Sequence, residues 1–317
     1  MYASCLPKAK SRSHRREWLA AVTAVLAAAL PAPGATFATN LWPGGVVPYW
    51  FDDNVYPPDL PVALAAMAEW EAVAAVEFRP RSGESDFIHI RKSSAQNLYN
   101  ISPVGRQGGQ QVITIHGWFQ YNLVHQLGHC LGWWHEQQRP DRDGYVQVND
   151  ENISQTGCGG PCDYQFEVQP AAEAYGPYDF ESIMHSAACA YSCCPACDAF
   201  ELPCSPNDPG CRTITVLPPN DVAWQDGIGQ RDHLSFWDQR VMSFLYPYAH
   251  WRFVDLGHGG GDDGTFFDPY LSLSRAIDET PDGGMLWVLE PDPYSAIGVY
   301  SRPMTWRAGY LAVTMGG

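Results

Sequence analysis

The sequence predicts an α+β fold, because segments with helical and with strand-like periodicity both occur along its 317 residues. Residues Leu60–Val76 are rich in alanine and space their apolar side chains about 3.6 residues apart, which indicates a helix with one buried face. Phe87–Ile90 and Gln111–Ile115 alternate in polarity, as half-buried strands do. His89 lies inside the first of these strands, so we expect it to be a hydrogen-bonded strand residue and not a metal ligand.

The composition is that of an acidic globular protein. Hydrophobic residues make up 45% of the chain and charged residues 17%, which suffices for one or two buried cores. The formal charge is −16, and without residues 1–38 the chain carries 14 basic and 34 acidic side chains, or −20. A surface this acidic repels phosphate backbones and anionic lipids, so we expect neither nucleic acid nor a membrane as a partner.

The first 38 residues have the layout of a secretory signal peptide. A basic stretch, Lys8–Arg16, precedes thirteen uncharged residues, Trp18–Leu30, and small residues follow up to Ala38. Thirteen helical residues rise only about 20 Å, which is too short for the roughly 30 Å hydrocarbon core of a bilayer. We therefore expect cleavage after Ala38 and a secreted, extracellular protein.

Nine cysteines follow the predicted signal peptide, and six of them lie within residues 189–211. In an exported chain such a cluster predicts disulfides that hold a long insertion together. A zinc ribbon through Cys194 and Cys197 is the alternative interpretation. Because nine is an odd number, we expect one free thiol, and Cys130 is the candidate because it falls inside a predicted helix.

The strongest functional signal lies in Tyr121–Asp143. His125 and His129 are four residues apart and therefore share one face of a helix, where two ring nitrogens reach one metal ion at about 2.0–2.1 Å. Gly132 can adopt the left-handed conformation that ends the helix, so that His135 supplies a third nitrogen from the opposite direction. Three histidines and one open position are typical of a catalytic zinc ion, and we expect one Zn²⁺ per chain.

This segment resembles the zinc site of the astacin family of metzincin metalloproteases, whose pattern is His-Glu-x-x-His-x-x-Gly-x-x-His-Glu followed by Arg-Pro-Asp-Arg-Asp. Four further segments resemble parts of the family and occur in the same order along the chain. They are the opening strand at Leu41–Trp50, the Met-turn at Tyr178–His185, and the closing segments at Ile228–Ser235 and Phe244–Pro247. The resemblance implies a two-lobed, zincin-like catalytic domain over residues 39–250, with the active-site helix across the cleft.

The resemblance also implies an activity and two supporting residues. The activity is hydrolysis of peptide bonds in a protein or peptide substrate by a zinc-activated water. Met184 is expected beneath the zinc ion as an apolar floor. Glu136 is expected to bind the freed amino group of the mature N-terminus.

Two positions depart from the family pattern. Gln126 stands where the family has the glutamate that takes a proton from the zinc-bound water, and losing such a base costs about 10²–10⁴-fold in rate. Ser186 stands where a tyrosine is expected to help hold zinc and to stabilise the oxyanion, a loss on the order of 10²–10³-fold. Asp179 and Glu181 are the acids near the Met-turn that we consider as replacements for the base.

The resemblance to astacins ends after Tyr248. Within residues 251–317 the sequence predicts a Gly-rich linker, a short amphipathic helix and three short strands, at Gly257–Gly264, Pro269–Ile277, Gly284–Leu289, Ile297–Tyr300 and Met304–Arg307. This mostly-β module resembles the cap and first rungs of a right-handed parallel β-helix, as in pectate-lyase-like modules. It implies a spacer or adhesion role, with polysaccharide as a candidate ligand.

Three functions are consistent with the sequence. A secreted zinc metalloendopeptidase of reduced rate predicts chelator-sensitive cleavage. A zinc-loaded pseudoprotease predicts peptide binding without turnover. A sugar-binding role of the C-terminal module predicts that residues 1–250 lack the binding of the whole chain.

Overall fold

A computed structural model describes residues 36–94, 100–156, 158, 160–170, 172–194, 209–289 and 304–308. Most of the predicted signal peptide lies outside these ranges. The chain divides into two compact units, one formed by Met1–Ala72 and Glu77–Gln239 and the other by Val73–Val76 and Arg240–Gly317. Helices and strands both contribute, so the α+β class is confirmed. A domain boundary at residue 250 stays a prediction.

The first unit is built on a four-stranded parallel sheet. Its first elements are β1 (Thr36–Phe37), β2 (Val46–Phe51), α1 (Leu60–Glu71), β3 (Glu77–Pro80), β4 (Phe87–Lys92) and β5 (Gln110–Ile115). The sheet has the order β3-β2-β4-β5, and every neighbouring pair is parallel. The two strands predicted from alternation are therefore confirmed. Ile88, Ile90, Ile113 and Ile115 share one face of β4 and β5 and are fully buried, which places the core on that side.

Helix α1 is shorter than its sequence pattern predicts. We expected a helix to Val76, but it ends at Glu71. The backbone N–H of Ala75 donates to the carbonyl of Tyr246 at 2.9 Å and not to a carbonyl within the helix. A long-range hydrogen bond thus overrides the local helix propensity of the alanine-rich sequence.

Helix α2 (Gln120–Cys130) packs against α1 and is fixed by two buried indoles. Trp70 Nε1 donates to the carbonyl of Val124 at 2.9 Å, and Trp42 Nε1 donates to the carbonyl of Cys130 at 3.0 Å. Both tryptophans bury their rings and satisfy their polar atoms on the helix backbone. The two indole hydrogen bonds therefore fix α2, one near its middle and one at its C-terminal end.

Gly128 permits a close approach in the middle of α2. A methyl group on this residue would lie 2.6 Å from Met184 Sδ and 3.2 Å from Trp70 Cζ2. Met184 and Trp70 are both fully buried in this core. Glycine is needed here because two buried side chains occupy the space of a Cβ substituent.

The remainder of the first unit contains short elements and disulfides. It includes β6 (Val146–Val148), β7 (Glu173–Ala174), β8 (Ile214–Val216) and α3 (Asp221–Trp224). Strand β1 pairs with β7, and β6 pairs with β8, in both cases antiparallel. Cys158 bonds to Cys162 and Cys194 bonds to Cys211, while Cys189 and Cys193 are also oxidised.

The disulfide interpretation of the cysteine cluster is confirmed, and the zinc-ribbon alternative is wrong for Cys194, whose sulfur is bonded to that of Cys211. Cys197 lies outside the described residues. Cys130 is the free cysteine of the described chain, as expected. Its burial raises the pKa of the thiol to about 12, so the side chain stays protonated.

The last residues of the predicted signal peptide cannot be separated from the fold. Phe37 lies inside the predicted leader, yet it is 2% exposed. It pairs with Glu173 in the β1–β7 ladder and bridges to Trp133, and the N–H of Ala38 donates to the carbonyl of Gly132 at 2.7 Å. A cut after Ala38 would remove this core residue, and the position of the cleavage site stays a prediction.

The second unit holds a three-stranded parallel sheet. After α4 (Phe236–Leu245) come β9 (Trp251–Val254), α5 (Leu273–Glu279), β10 (Met285–Val288) and β11 (Thr305–Ala308). The order is β11-β10-β9, and both pairs are parallel. The predicted short helix and two of the three predicted strands are present, and Ile297–Tyr300 lies outside the described residues. Continuation as a β-helix stays a prediction.

The glycine-rich stretch 257–264 forms a hydrogen-bonded loop between β9 and α5, and its role as a linker stays a prediction. The N–H of Gly261 donates to the Asp268 carboxylate at 2.8 Å, and the N–H of Phe253 donates to the carbonyl of Gly264 at 3.0 Å. These bonds give the polar loop a defined path. Across the described residues, no helix combines the length and apolar character that a membrane crossing requires.

Replacing Phe37 by alanine tests whether residues 36–38 belong to the mature fold. We expect the free energy of unfolding in urea to fall by about 3–5 kcal/mol, since a buried phenylalanine leaves a cavity. The matched substitution Phe236→Ala, at a residue 61% exposed, is expected to cost less than about 1 kcal/mol. A secreted chain that begins at Thr39 and keeps full stability would restore the boundary at Ala38.

Replacing Gly128 by alanine tests the close packing beneath α2. We expect a lower melting temperature and zinc affinity reduced by about tenfold or more, because Met184 and Trp70 must move away from the helix that carries two histidines. Gly144→Ala is the matched control, since a methyl group there meets nothing within 4 Å. Equal effects of the two substitutions would contradict the proposed role of Gly128.

Candidate active site

Helix α2 and the turn after it bring three histidines to one point. His125 and His129 lie one turn apart on α2, which ends at Cys130. Gly132 has φ +116°, a conformation that favours glycine, and the reversed chain returns His135 to the same place. One side-chain nitrogen from each histidine lies within 4.8 Å of the others. The sequence spacing predicted this cluster.

Backbone carbonyls orient two of the imidazoles. The Nδ1 of His125 lies 2.7 Å from the carbonyl oxygen of Ile183, and the Nδ1 of His129 lies 2.7 Å from that of Trp133. An Nδ1–H donated to a carbonyl leaves the lone pair on Nε2, as in metal-ligating histidines. Burial places the pKa of His125 and of His135 well below the ordinary value, so both rings are neutral.

The donor set fits a zinc ion. A tetrahedral ion bound at about 2.0–2.1 Å holds its ligand nitrogens about 3.3 Å apart. The Nε2 atoms of His129 and His135 are separated by 3.2 Å. Neutral imidazoles are the form that binds metal, so no proton has to be displaced from His125 or His135 at neutral pH.

The buried carboxylate of Asp238 binds the backbone and a side chain of the Met-turn. Asp238 accepts hydrogen bonds from the Ser182 hydroxyl at 2.7 Å and from the N–H of Ile183 at 2.8 Å. Met184 follows directly, is fully buried, and accepts a hydrogen bond at its carbonyl from the N–H of Glu136. These bonds fix the Ile183 carbonyl that orients His125.

A cleft of about 360 Å³ opens beside the histidines, and Gln126 forms part of its wall together with His129 and His135. Gln126 is only 2% exposed, so its amide occupies a confined position next to the metal-binding nitrogens. An amide can hydrogen-bond a water molecule there but cannot accept its proton at neutral pH. The other residues that line this cleft are Asn100, Ile101, Ser102, Val104, Trp134, Gln138, Cys158, Tyr164, Gln165, Glu167, Gln169 and Tyr191.

Ser186 does not line this cleft. It is fully buried, and its hydroxyl accepts a hydrogen bond from Gln137 Nε2 at 2.8 Å. In return, the N–H of Ser186 donates to Gln137 Oε1 at 3.0 Å. This reciprocal pair directs Ser186 toward Gln137, so its hydroxyl is not placed as an oxyanion donor.

Glu136, the residue after the third histidine, forms a buried ion pair with Arg139. Its Oε1 accepts hydrogen bonds from Arg139 Nη1 at 3.0 Å and from the N–H of Asp179 at 2.9 Å. Burial raises the pKa of Glu136 to about 7, against the opposing effect of the Arg139 charge. Its Oε2 has no hydrogen-bond partner among the described residues, which leaves one acceptor for a further donor.

The acids considered as replacement bases are engaged elsewhere. Asp179 accepts a hydrogen bond from the Ser235 hydroxyl, and Glu181 lies 3.3 Å from His233. Neither residue lines the cleft. Glu167 is the carboxylate that does, at an exposed position, and sequence reasoning did not identify it.

Sequence reasoning also missed Gln137 and Tyr191. Gln137 lies in the run Glu136–Arg139, and nothing in that run indicates a partner 49 residues away. Tyr191 lines the cleft with φ +58°, a rare conformation for a tyrosine. No spacing rule predicts such a residue, because its position depends on the folded disulfide-rich segment.

Comparison with known proteins places this chain in a family. The sequence model described as Astacin, a peptidase family, matches residues 35–247. High choriolytic enzyme 1 of Oryzias latipes is 33% identical over 204 residues, which cover 63% of this chain and 66% of that protein. Tolloid-like protein 2 of Homo sapiens is 39% identical over 214 residues, which cover 65% of this chain and 19% of that protein.

Zinc metalloproteinase nas-39 of Caenorhabditis elegans is 35% identical over 216 residues, or 66% of this chain and 21% of that protein. The chain thus spans about a fifth of the length of two of these relatives and about two thirds of the third. The solved structure of high choriolytic enzyme 1, a hatching enzyme zinc-protease from medaka, has a TM-score of 0.52 and 29% identity, covering 66% of this chain and 94% of that one. Fold, histidine cluster and sequence agree, and the chain belongs to the astacin family of peptidases.

Proposed function

We propose that this chain is a secreted, astacin-type zinc metalloendopeptidase whose cleft binds a protein or peptide and hydrolyses it at a much reduced rate. The observation that carries the proposal is the wall of the cleft, where the metal-binding nitrogens of His129 and His135 adjoin the amide of Gln126. The three histidines supply the ring nitrogens that zinc binding requires. Gln126, beside them, lacks the carboxylate that peptide hydrolysis requires.

The proposed chemistry divides between binding and proton transfer. His125, His129 and His135 would hold one Zn²⁺, which supplies a water of lowered pKa and polarises the scissile carbonyl. The amide of Gln126 can orient that water by a hydrogen bond. It cannot take the proton and deliver it to the leaving amine, so both proton transfers lack a carrier.

The cleft is suited to an extended peptide. The amide side chain of Gln169 offers a donor and an acceptor to a peptide backbone, while Ile101 and Tyr164, each about half exposed, offer apolar contacts. A cleft of this size accommodates a few side chains. Peptide binding is therefore retained in the proposal even where cleavage is slow.

A second candidate function is a pseudoprotease that binds zinc and peptide without cutting. The reciprocal pair of Ser186 and Gln137 favours it, since this pair removes the second stabilising group from the cleft. Turnover separates the two candidates. The same zinc occupancy and the same peptide affinity are expected in both.

The proposal also covers secretion, the new N-terminus and the C-terminal module. Secretion is supported by the disulfides Cys158–Cys162 and Cys194–Cys211, which persist in oxidising compartments. Binding of the new N-terminal amino group by Glu136 is supported by its unused Oε2 acceptor. A polysaccharide-binding role of the C-terminal module, and the absence of nucleic-acid and membrane partners, rest on the sequence.

Replacing Gln126 by glutamate is the central test. With the zinc-loaded mature chain and an unfolded protein as substrate, we expect chelator-sensitive cleavage to rise by about 10²–10⁴-fold, because a general base is restored. Gln147→Glu is the matched control: it adds the same charge at an exposed strand position outside the cleft and is expected to leave the rate unchanged.

Rapid cleavage by the natural chain would contradict the reduced rate and would direct attention to Glu167, whose replacement by glutamine should then abolish activity. Peptide binding with no cleavage by either the natural chain or Gln126→Glu would favour the pseudoprotease. Absence of peptide binding in both would contradict the proposal as a whole.

Zinc titration tests the histidine cluster directly. We expect one Zn²⁺ per chain and a rise in melting temperature on loading, because the ion binds the folded state. His129→Gln is expected to weaken zinc binding by roughly 100-fold or more, since a ligand is lost outright. His89→Gln replaces another buried histidine, in the sheet, and should leave zinc affinity unchanged. Equal zinc affinity in the two variants would contradict the assigned ligand set.

A further inference from the structure

The side chains that line the cleft beside the histidines carry charge of one sign. Glu167 is the carboxylate among the described lining residues, and none of these is a lysine or an arginine. The other polar groups of the wall are amides, hydroxyls, an indole and the imidazoles of His129 and His135. A carboxylate in a cleft without cationic side chains attracts a cation and repels an anion. Glu167 is therefore placed to distinguish peptides by their charge.

The carboxylate of Glu167 is not neutralised within the described part of the chain. Its side chain is exposed, and no described residue forms an ion pair or a hydrogen bond with it. Acids elsewhere in this region are engaged. Asp141 is paired with Arg139 at 2.7 Å. Asp143 is paired with Arg142 at 2.6 Å. The negative charge of Glu167 is thus available to a ligand in the cleft.

The backbone on either side of Glu167 is fixed by hydrogen bonds. Phe166, the preceding residue, is buried, and its carbonyl accepts a hydrogen bond from Arg142 Nη1. Two residues after Glu167, the N–H of Gln169 donates to the carbonyl of Gln138 at 2.8 Å. The fold therefore determines where this carboxylate lies along the wall of the cleft.

Gln138 connects this wall segment, Tyr164–Gln169, with the metal-binding segment. Its Oε1 accepts a hydrogen bond from the N–H of His135 at 3.2 Å, and its Nε2 donates to the carbonyl of Tyr164 at 3.2 Å. One side chain thus joins the third histidine to the segment that carries Glu167. A peptide bound at the histidines therefore lies beside this segment.

Two tyrosines line the cleft together with Glu167. Tyr164 belongs to the same wall segment and is about half exposed. Tyr191 packs against Phe166, the neighbour of Glu167, with ring centroids 6.0 Å apart. Aromatic rings bind the methylene stem of a lysine or arginine and attract its positive charge. Carboxylate and rings together match a long basic side chain.

The net charge of the protein acts in the same direction. Without residues 1–38 the chain carries 14 basic and 34 acidic side chains, or −20. A field of this sign raises the concentration of cationic peptides near the surface and speeds their encounter with the cleft. This long-range attraction is screened by salt, over about 8 Å at physiological ionic strength, whereas contact with Glu167 is local.

We propose that the cleft prefers peptides with a lysine or arginine close to the peptide bond held at the histidines, and that Glu167 determines this specificity. The inference rests on the proposed peptide-binding function and names the substrate class of that same site. The basic side chain places its stem against the tyrosines and pairs its charged end with the carboxylate of Glu167.

The test measures binding, by fluorescence anisotropy on the zinc-loaded mature chain. The probes are three libraries of short peptides, capped at both ends and randomised over neutral residues, with a central lysine, glutamine or glutamate. At low salt we expect the lysine library to bind about three- to tenfold more tightly than the glutamate library. Glu167→Gln should remove this preference, and Glu167→Lys should reverse it. Each variant holds the same metal ion, so the charge of the ion cancels in the comparison.

Glu151→Gln is the matched control, because it removes the same charge at an exposed position outside the cleft and should leave the preference unchanged. Circular dichroism of each variant separates altered binding from lost folding. Equal binding of the three libraries would overturn this inference and leave the peptide-binding function intact.

A preference that survives Glu167→Gln would also overturn the inference and would assign the selectivity to the charge of the whole surface. Loss of all cleavage in Glu167→Gln with unchanged binding would overturn it as well, since Glu167 would then act in proton transfer. Failure of every library to bind would contradict the proposed function together with this inference.

Discussion

Two backbone carbonyls determine where the histidines of this protein point, and the rest of the site depends on them. The carbonyls of Ile183 and Trp133 accept from Nδ1 of His125 and His129, so that both Nε2 atoms face the same position. Ile183 is held in turn by Asp238, through its own N–H and the hydroxyl of the preceding serine. A metal centre on a helix is therefore oriented by backbone that lies 58 residues further along the chain.

The proposed function separates metal binding from proton transfer. Three imidazoles meet at one point beside α2, and backbone carbonyls orient two of them. The role of Met184 as a floor beneath the ion stays a prediction. In this proposal Gln126 cannot carry the proton, and Ser186, which is bonded to Gln137, supplies no second polar group to the cleft. In the proposed function the loss is confined to groups that act only in the transition state, so binding of metal and peptide would be retained while the rate would fall.

Local patterns predicted the parts of the site that depend on short spacing. The four-residue step between His125 and His129, and the glycine that reverses the chain toward His135, follow from helix geometry alone. Alternation predicted the two strands correctly for the same reason. Cysteine number and clustering likewise predicted the disulfides and the free Cys130.

Features that depend on distant partners were missed. The end of α1 at Glu71 depends on a bond from Ala75 to Tyr246, and the burial of Phe37 depends on strand pairing with Glu173. The partnership of Gln137 with Ser186 spans 49 residues. Periodicity carries no information on such pairs, since each residue alone is compatible with several environments.

Cys130 has a consequence for how the protein can be made. In the folded chain its thiol is buried in α2 with a pKa of about 12, so it supplies almost no thiolate for exchange with the disulfides of the same chain. In the unfolded chain the same thiol is as reactive as the cysteines destined for bonds. The order of events therefore matters: in a chain that meets an oxidant before α2 has closed over Cys130, this thiol is available for mispairing. Recombinant production should accordingly allow the helical core to form before oxidation begins.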